Sequence, residues 1–211
     1  MPRRWFQFFG FCFLFFGIIL FCVVLGGYTS FWRSQNRIEA SKSLLTEACQ
    51  KRLALLPGLI EIAKKSKTQT DRPRINQTVQ KADKILQLVI SQKTPLEKEL
   101  IKEFEISQSK LTRQLKDLFT RWEGSPDKNQ SKQFDALRDL FFTAQNNLFV
   151  ARQRYNDEVN YFNTRTTAFP AFLFAKLFGF DKMEYIEISK DLFLPAQKIF
   201  APNNIMSLKK G

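Results

Sequence analysis

Between Arg4 and Arg33 the chain carries no charged residue. The stretch is dense in Phe, Leu, Ile and Val, and its hydrogen-bonding side chains are few, chiefly Gln7, Tyr28, Thr29 and Ser30. At a rise of about 1.5 Å per residue, a helix over this stretch reaches roughly 40 Å, enough to cross a bilayer with some tilt. A chain built this way folds as a domain held at a membrane. Trp5 at one end, with Tyr28 and Trp32 at the other, suits the two interfaces.

The run is longer than the apolar stretch of a secretory signal, about 7–15 residues. Its exit, LGGYTSFWRS, offers no small-x-small cleavage pattern, and Cys22 follows Ile19, Leu20 and Phe21 rather than the small residues that precede a lipoprotein cysteine. The expectation is an uncleaved, single-pass inner-membrane anchor. Arg3 and Arg4 on one side nearly balance Arg33, Arg37 and Lys42 on the other, so the positive-inside rule is close to a tie. The short tail before the run tips the expectation toward a domain on the periplasmic, extracytoplasmic side. Gly26-Gly27 offers a place where a second helix can approach.

The chain has 211 residues, so one domain of ordinary size follows the anchor. It is basic, with 33 Lys and Arg against 20 Asp and Glu. Beside a membrane, that charge points to anionic lipid headgroups. The cations are scattered along helices and no nucleic-acid motif is present, so no nucleic-acid partner is expected. There is no histidine, which removes Ser-His-Asp and Cys-His catalysis, His-ligated metal and the usual general base near neutral pH. Cys12 and Cys22 lie in the membrane stretch and Cys49 on an apolar helical face; they form no disulfide framework. Glu99 and Glu103 share a helical face, but Lys98, Lys102 and Lys110 share the helix, the pattern of a solvated charged surface rather than an acid–base pair. There is no Walker loop and no GxGxxG. No enzyme, metal or cofactor is expected.

Beyond Trp32 the periodicity is helical throughout. A first stretch, about 34–65, carries Ile38, Leu45, Cys49, Leu53, Leu56, Ile60 and Ala63 on one face. It continues out of the membrane helix, and Pro57 kinks it. A second, about 74–91, aligns Ile75, Val79, Ala82, Leu86 and Val89; the polar segment before it, ending in Pro73, reads as a loop. A third, about 96–122, aligns Leu100, Phe104, Leu111, Leu115, Leu118 and Trp122, with Thr94 as its expected cap and Pro95 in its first turn. The fourth, about 131–167, aligns Phe134, Phe141, Leu148, Tyr155, Val159 and Phe162. Short connections make the neighbours antiparallel.

The expected fold is therefore all-α: an N-terminal transmembrane helix followed by an elongated antiparallel four-helix bundle. The expected divisions are a short tail over 1–4, the anchor over 5–32, the bundle over 33–167, an apolar segment over 168–187 and a loosely ordered tail over 188–211. Helix counting brings the segment AFLFAKLFGF back near the bilayer. Two readings stand: a lid on the open end of the bundle, or a second, in-plane membrane contact through Phe172, Phe174 and Phe178.

Two blocks of sequence resemble the LemA family of bacterial membrane-anchored proteins. In QKRLALLPGLIEIAKK the matching positions are Arg52, Leu55, Pro57, Leu59 and Glu61, with Ala54 where the family usually has an acid and Gly58 where it usually has Asn. The longer block, 151–187, matches at Ala151-Arg152, Tyr155-Asn156, Val159, Asn163-Thr164, Phe169-Pro170 and Gly179-Phe180. Phe162 replaces a usual Tyr, and Gln145 and Asn147 stand where the family often has Glu and Arg, so an ion pair is expected to be missing. The resemblance implies a helical-bundle domain without established enzymatic activity; some relatives take part in building or organising membranes. It makes Arg52, Pro57, Glu61, Arg152, Tyr155, Asn156, Asn163, Pro170 and Gly179 the family positions to follow, each with a structural reading beside the functional one. A buried Tyr155 needs a partner from an adjacent helix, and Asn156 and Asn163, two turns apart, can cap or bridge to a neighbouring helix. The expected function is a non-enzymatic interaction or scaffold protein of the cell envelope, with anionic lipid or a membrane protein as partner. The alternative is an accessory subunit of a membrane enzyme such as an envelope protease.

Overall fold

No proline interrupts the chain between Pro2 and Pro57, and a single helix, α1, runs over Pro2–Ala54. The computed structural model describes residues 2–65, 72–123 and 132–187. The N-terminal part of α1 contains an 18-residue window of mean hydropathy 2.5, none of it buried, and is long and apolar enough to cross a bilayer. The helix breaks at Leu55. Pro57 has no N–H for the carbonyl four residues back and its ring crowds that turn, so Leu55 N–H falls back on Arg52 O at 3.4 Å. Helical geometry resumes as α2, Leu56–Lys65.

α3 spans Arg72–Ser91, α4 Lys98–Glu123 and α5 Lys132–Thr167. Cross-links along the bundle fix their directions. Lys42 of α1 donates to the carbonyl of Gln92 just past α3, Arg52 reaches α4 and α5 midway, and Arg165 at the end of α5 returns to Ser30. Neighbours alternate in direction, as the short connections require. The expected apolar stripes form the core, from Ile38, Leu45 and Leu56 to Phe134 and Phe141, and Phe31, expected within the anchor, joins them. Ile85, Leu59, Ile101 and Phe119 join them, because a helix packed between two neighbours buries more than one stripe.

Three expectations change. Thr94 does not cap α4: the helix starts at Lys98, and Thr94 N–H instead donates to Glu39 Oε2 of α1 at 3.1 Å. Pro73 belongs to the first turn of α3 rather than to a loop, since a proline there loses no intrahelical bond. The apolar segment after α5 is not one element. It divides into a short helix, α6 over Ala171–Phe178, and an extended strap over 180–187. Gly179 makes the turn between them at φ 68°, ψ 35°, a left-handed conformation that a side chain resists. The expected loose tail over 188–211 lies outside the described residues.

Candidate functional site

The family positions gather in two places. The first is midway along the bundle, where Arg52 is fully buried. It donates through Nη1 to Gln145 Oε1 at 2.9 Å and Thr112 Oγ1 at 3.3 Å, and through Nη2 to Gln108 Oε1. All three acceptors are neutral. Gln145, where the family often has Glu, thus meets the Arg52 guanidinium as a neutral amide, and burial pulls the Arg52 pKa below the usual range. Cys49, one turn away, is pushed up to about 12 by burial, despite the pull of Arg52, and stays a thiol. Arg52 Nε, Gln108 Nε2 and Gln145 Nε2 are buried with no acceptor among the described residues.

The second place lies at the opposite end of α5, where the strap is clasped. Asn163 donates through Nδ2 to Met183 O and accepts from Met183 N–H through Oδ1, both at 2.8 Å. Asn156 does the same with Ile186, at 3.1 and 3.0 Å. Each side-chain amide thus pairs with one residue's main chain as a neighbouring strand would. The registers agree for a geometric reason. Seven helical residues advance about 10.5 Å, and three extended residues advance roughly 10 Å. Between the two amides, Tyr185 donates to Asn160 Oδ1 at 3.1 Å. Asn156 and Asn163 therefore bridge to an extended segment, not to a helix. Met183 and Ile186 both face the bundle and are buried; residues three apart would face opposite ways on a pleated strand, so the strap is not one.

The strap begins with Phe180, whose ring stacks on Phe31 at 5.0 Å and meets Tyr28 and Phe162 at 6.1 and 6.3 Å. At Glu187 it lies beside Glu105 and the half-buried Arg152. Burial pushes the Glu105 carboxyl up to about 7, partly countered by the Glu187 N–H and helped by the Glu187 charge. Tyr155 is buried within the bundle, and burial with the nearby Glu39 charge pushes its phenol up to about 12. Glu39 moves the other way: burial raises it, but bonds from Lys42 and Thr94 outweigh that and hold it below the ordinary range.

α6 packs where α1 leaves its apolar run. The Phe174 ring lies over Gly27, so close that a methyl there would sit 2.6 Å from it. Tyr28 and Phe178 meet edge to face at 5.1 Å. The close approach that Gly26-Gly27 invites is thus filled within the chain, at Gly27. Phe174 and Phe178 turn toward α1, and of the three expected membrane-facing residues only Phe172 is exposed. Phe169, Leu173 and Leu177, none of them among the three expected membrane contacts, point outward with it, at 82%, 50% and 64% exposure. Their i, i+4 spacing on α6 (173 and 177) was the available signal. Arg165 locks α5 to the same exit, donating to Ser30 Oγ at 2.8 Å with its guanidinium 4.7 Å over the Phe31 ring.

Pro57 and Glu61 lie on the exposed side of α2, and Pro170 is exposed at the start of α6. Glu99 and Glu103 are exposed, as a solvated face requires. Among the described residues no cluster of His, Cys, Asp and Glu could hold a metal.

A helical bundle on a membrane-length helix, with an extended strap clasped to α5, defines the class of protein. The sequence model of the LemA family matches residues 41–192, well over half of the chain and both clustered sites, and the chain belongs to that family. No curated protein matches it.

Proposed function

We propose that this protein is a membrane-tethered, non-enzymatic scaffold of the bacterial envelope that grips the bilayer twice, once through α1 and once through the outward face of α6. The observation that carries the reading is the packing of α6 on Gly27 and Tyr28. It sets Phe169, Phe172, Leu173 and Leu177 beside the end of the apolar run, where all four are exposed. Exposed large apolar side chains grouped on a short helix mark an interaction surface, and at that height the apolar phase available is the bilayer. Lys176 on α6, Lys182 on the strap and Arg33 on α1 are exposed at the same level and suit anionic headgroups.

The clasp supports the scaffold reading. It joins strap, α5 and α1 into one body, so that α1 holds the bundle in a defined orientation rather than on a loose leash. A photo-crosslinking residue at Leu177, in the full chain reconstituted in vesicles, tests the membrane contact. Crosslinks to lipid are expected there and none from Leu140, which is comparably exposed but lies far along α5. Crosslinks from Leu177 to protein alone would overturn the membrane grip and leave α6 as a lid.

A further inference from the structure

Far from the membrane end, α3 and α4 enclose two adjoining hollows of about 300 and 360 Å³ that share Arg74 and Lys110. Together they form one groove along the pair. Arg74, Lys81, Lys110 and Arg113 line it, all exposed, and none of the four is in a salt bridge among the described residues. Its floor is apolar: Ile75, Ile85 and Leu118 lie beneath, and Ile106 stands 58% exposed in one of the two hollows. From its geometry and charge we propose that this groove binds an acidic, extended protein segment in which carboxylates alternate with apolar side chains.

Three observations select that ligand. The first is height. α3 ends at the level of Lys42 and its groove residues lie farther up the bundle, so on a helix rise of about 1.5 Å per residue the groove stands roughly 25–40 Å above Arg33. The potential of a lipid surface decays over about 8 Å at physiological salt, so headgroups do not reach it. The second is the mixture of charge. Glu103 and Asp117 sit on the rim among the cations, which disfavours a uniformly charged phosphate chain and tolerates a peptide whose charges alternate. The third is hydrogen bonding. The hydroxyls of Thr78 and Ser107 donate to their own helix, to Arg74 O at 2.9 Å and Phe104 O at 2.8 Å. Their lone pairs are left as acceptors, which suits main-chain N–H groups; a phosphate backbone has none.

The groove goes beyond the membrane grip and holds whether or not α6 touches lipid. The test uses the full chain in nanodiscs of neutral phosphatidylcholine and a fluorescent peptide of alternating glutamate and leucine, read by anisotropy. Binding that weakens with salt is expected. It should fall about tenfold or more in Lys110→Glu with Arg113→Glu, and several-fold in Ile106→Ser, roughly the loss of one apolar contact. Lys51→Glu with Lys116→Glu makes the same charge change on exposed residues outside the groove and should leave binding within about twofold. Helicity by circular dichroism confirms that each variant folds. Absence of binding, equal loss in the two double variants, or tighter binding of polyphosphate or single-stranded RNA through the same residues would each overturn the assignment.

Discussion

Two of the places where the bundle buries polar groups are solved differently. At the clasp, both atoms of the Asn156 and Asn163 amides are used, and the main-chain groups of Met183 and Ile186 are matched one to one. Around Arg52 the bundle buries a full positive charge against neutral oxygens and leaves three N–H donors over. A matched set costs little and specifies one docking register. An unmatched one costs stability and persists only because the surrounding helices hold it. The clasp is thus a local device that releases alone, whereas the Arg52 layer ties three helices and fails with the whole bundle.

Removing Arg52 tests this contrast most severely. Arg52→Ala leaves a cavity and strands the oxygens of Gln108, Thr112 and Gln145, so global unfolding should become easier by about 3 kcal/mol or more. Urea or thermal denaturation of the full chain in detergent, followed by circular dichroism, reads it. The opposite change sharpens the point. Gln145→Glu sets a carboxylate 2.9 Å from the guanidinium and should raise stability by about 1 kcal/mol at neutral pH. A carboxylate so placed has its pKa lowered, so the gain is full above the ordinary carboxylate range and is lost as pH falls through the lowered value. Unchanged stability in Gln145→Glu would mean that desolvation of the new charge cancels the pair.

Much of this was legible in the sequence, and the clasp shows where legibility ended. Helix identity and the core stripes follow from periodicity and were readable from Ile38 to Phe162. Burial of Cys49 and Tyr155 followed from the same stripes. The seven-residue spacing of Asn156 and Asn163 marked one side of α5, but the partner is a non-periodic segment 20 to 30 residues onward. Main-chain pairing leaves no pattern in side-chain identity. Thr94 misled because Thr-Pro before a helix-forming run is a local cap signal, whereas a distant carboxylate on α1 takes up the N–H of Thr94 itself. The outward face of α6 was misread for a similar reason: without knowing that Phe174 docks on Gly27, all its phenylalanines look alike.

At the clasp the expected effects are smaller and local. Asn163→Ala strands the Met183 N–H and carbonyl, which should ease opening of the strap by about 2 kcal/mol while the global transition moves far less. Native-state hydrogen exchange reads both at once: faster exchange at Met183 and Ile186, with amides near Arg52 unchanged. Equal acceleration at both sites would show that strap and bundle open together, and the contrast would fail. Gly27→Ala should act on the same end, because the methyl must displace the Phe174 ring. A loss of about 1–2 kcal/mol is expected, with α6 and not α4 losing protection.

The smallest effect is a pH dependence that runs in opposite directions at two carboxylates. Glu105 faces Glu187 from the strap and Arg152 from α5, with Lys98, Lys102 and Glu184 around the same hollow. Lys98 is turned aside to Glu184, at 3.7 Å. Because the folded pKa of Glu105 is raised to about 7, the folded state holds a proton that the unfolded state releases near the ordinary carboxylate value. The strap end is therefore most stable at mildly acid pH and loosens as pH rises toward and through about 7. Glu39, with its lowered pKa, contributes above the ordinary carboxylate range and loses that contribution only as pH falls below it. Between pH 6 and 8, after correction for intrinsic exchange, opening at Ile186 should become easier while the Thr94 amide bonded to Glu39 stays level. Glu105→Gln should remove the Ile186 trend, since the amide carries no charge to set against Glu187. If the trend survives that substitution, the strap answers to another group and Glu105 is a bystander.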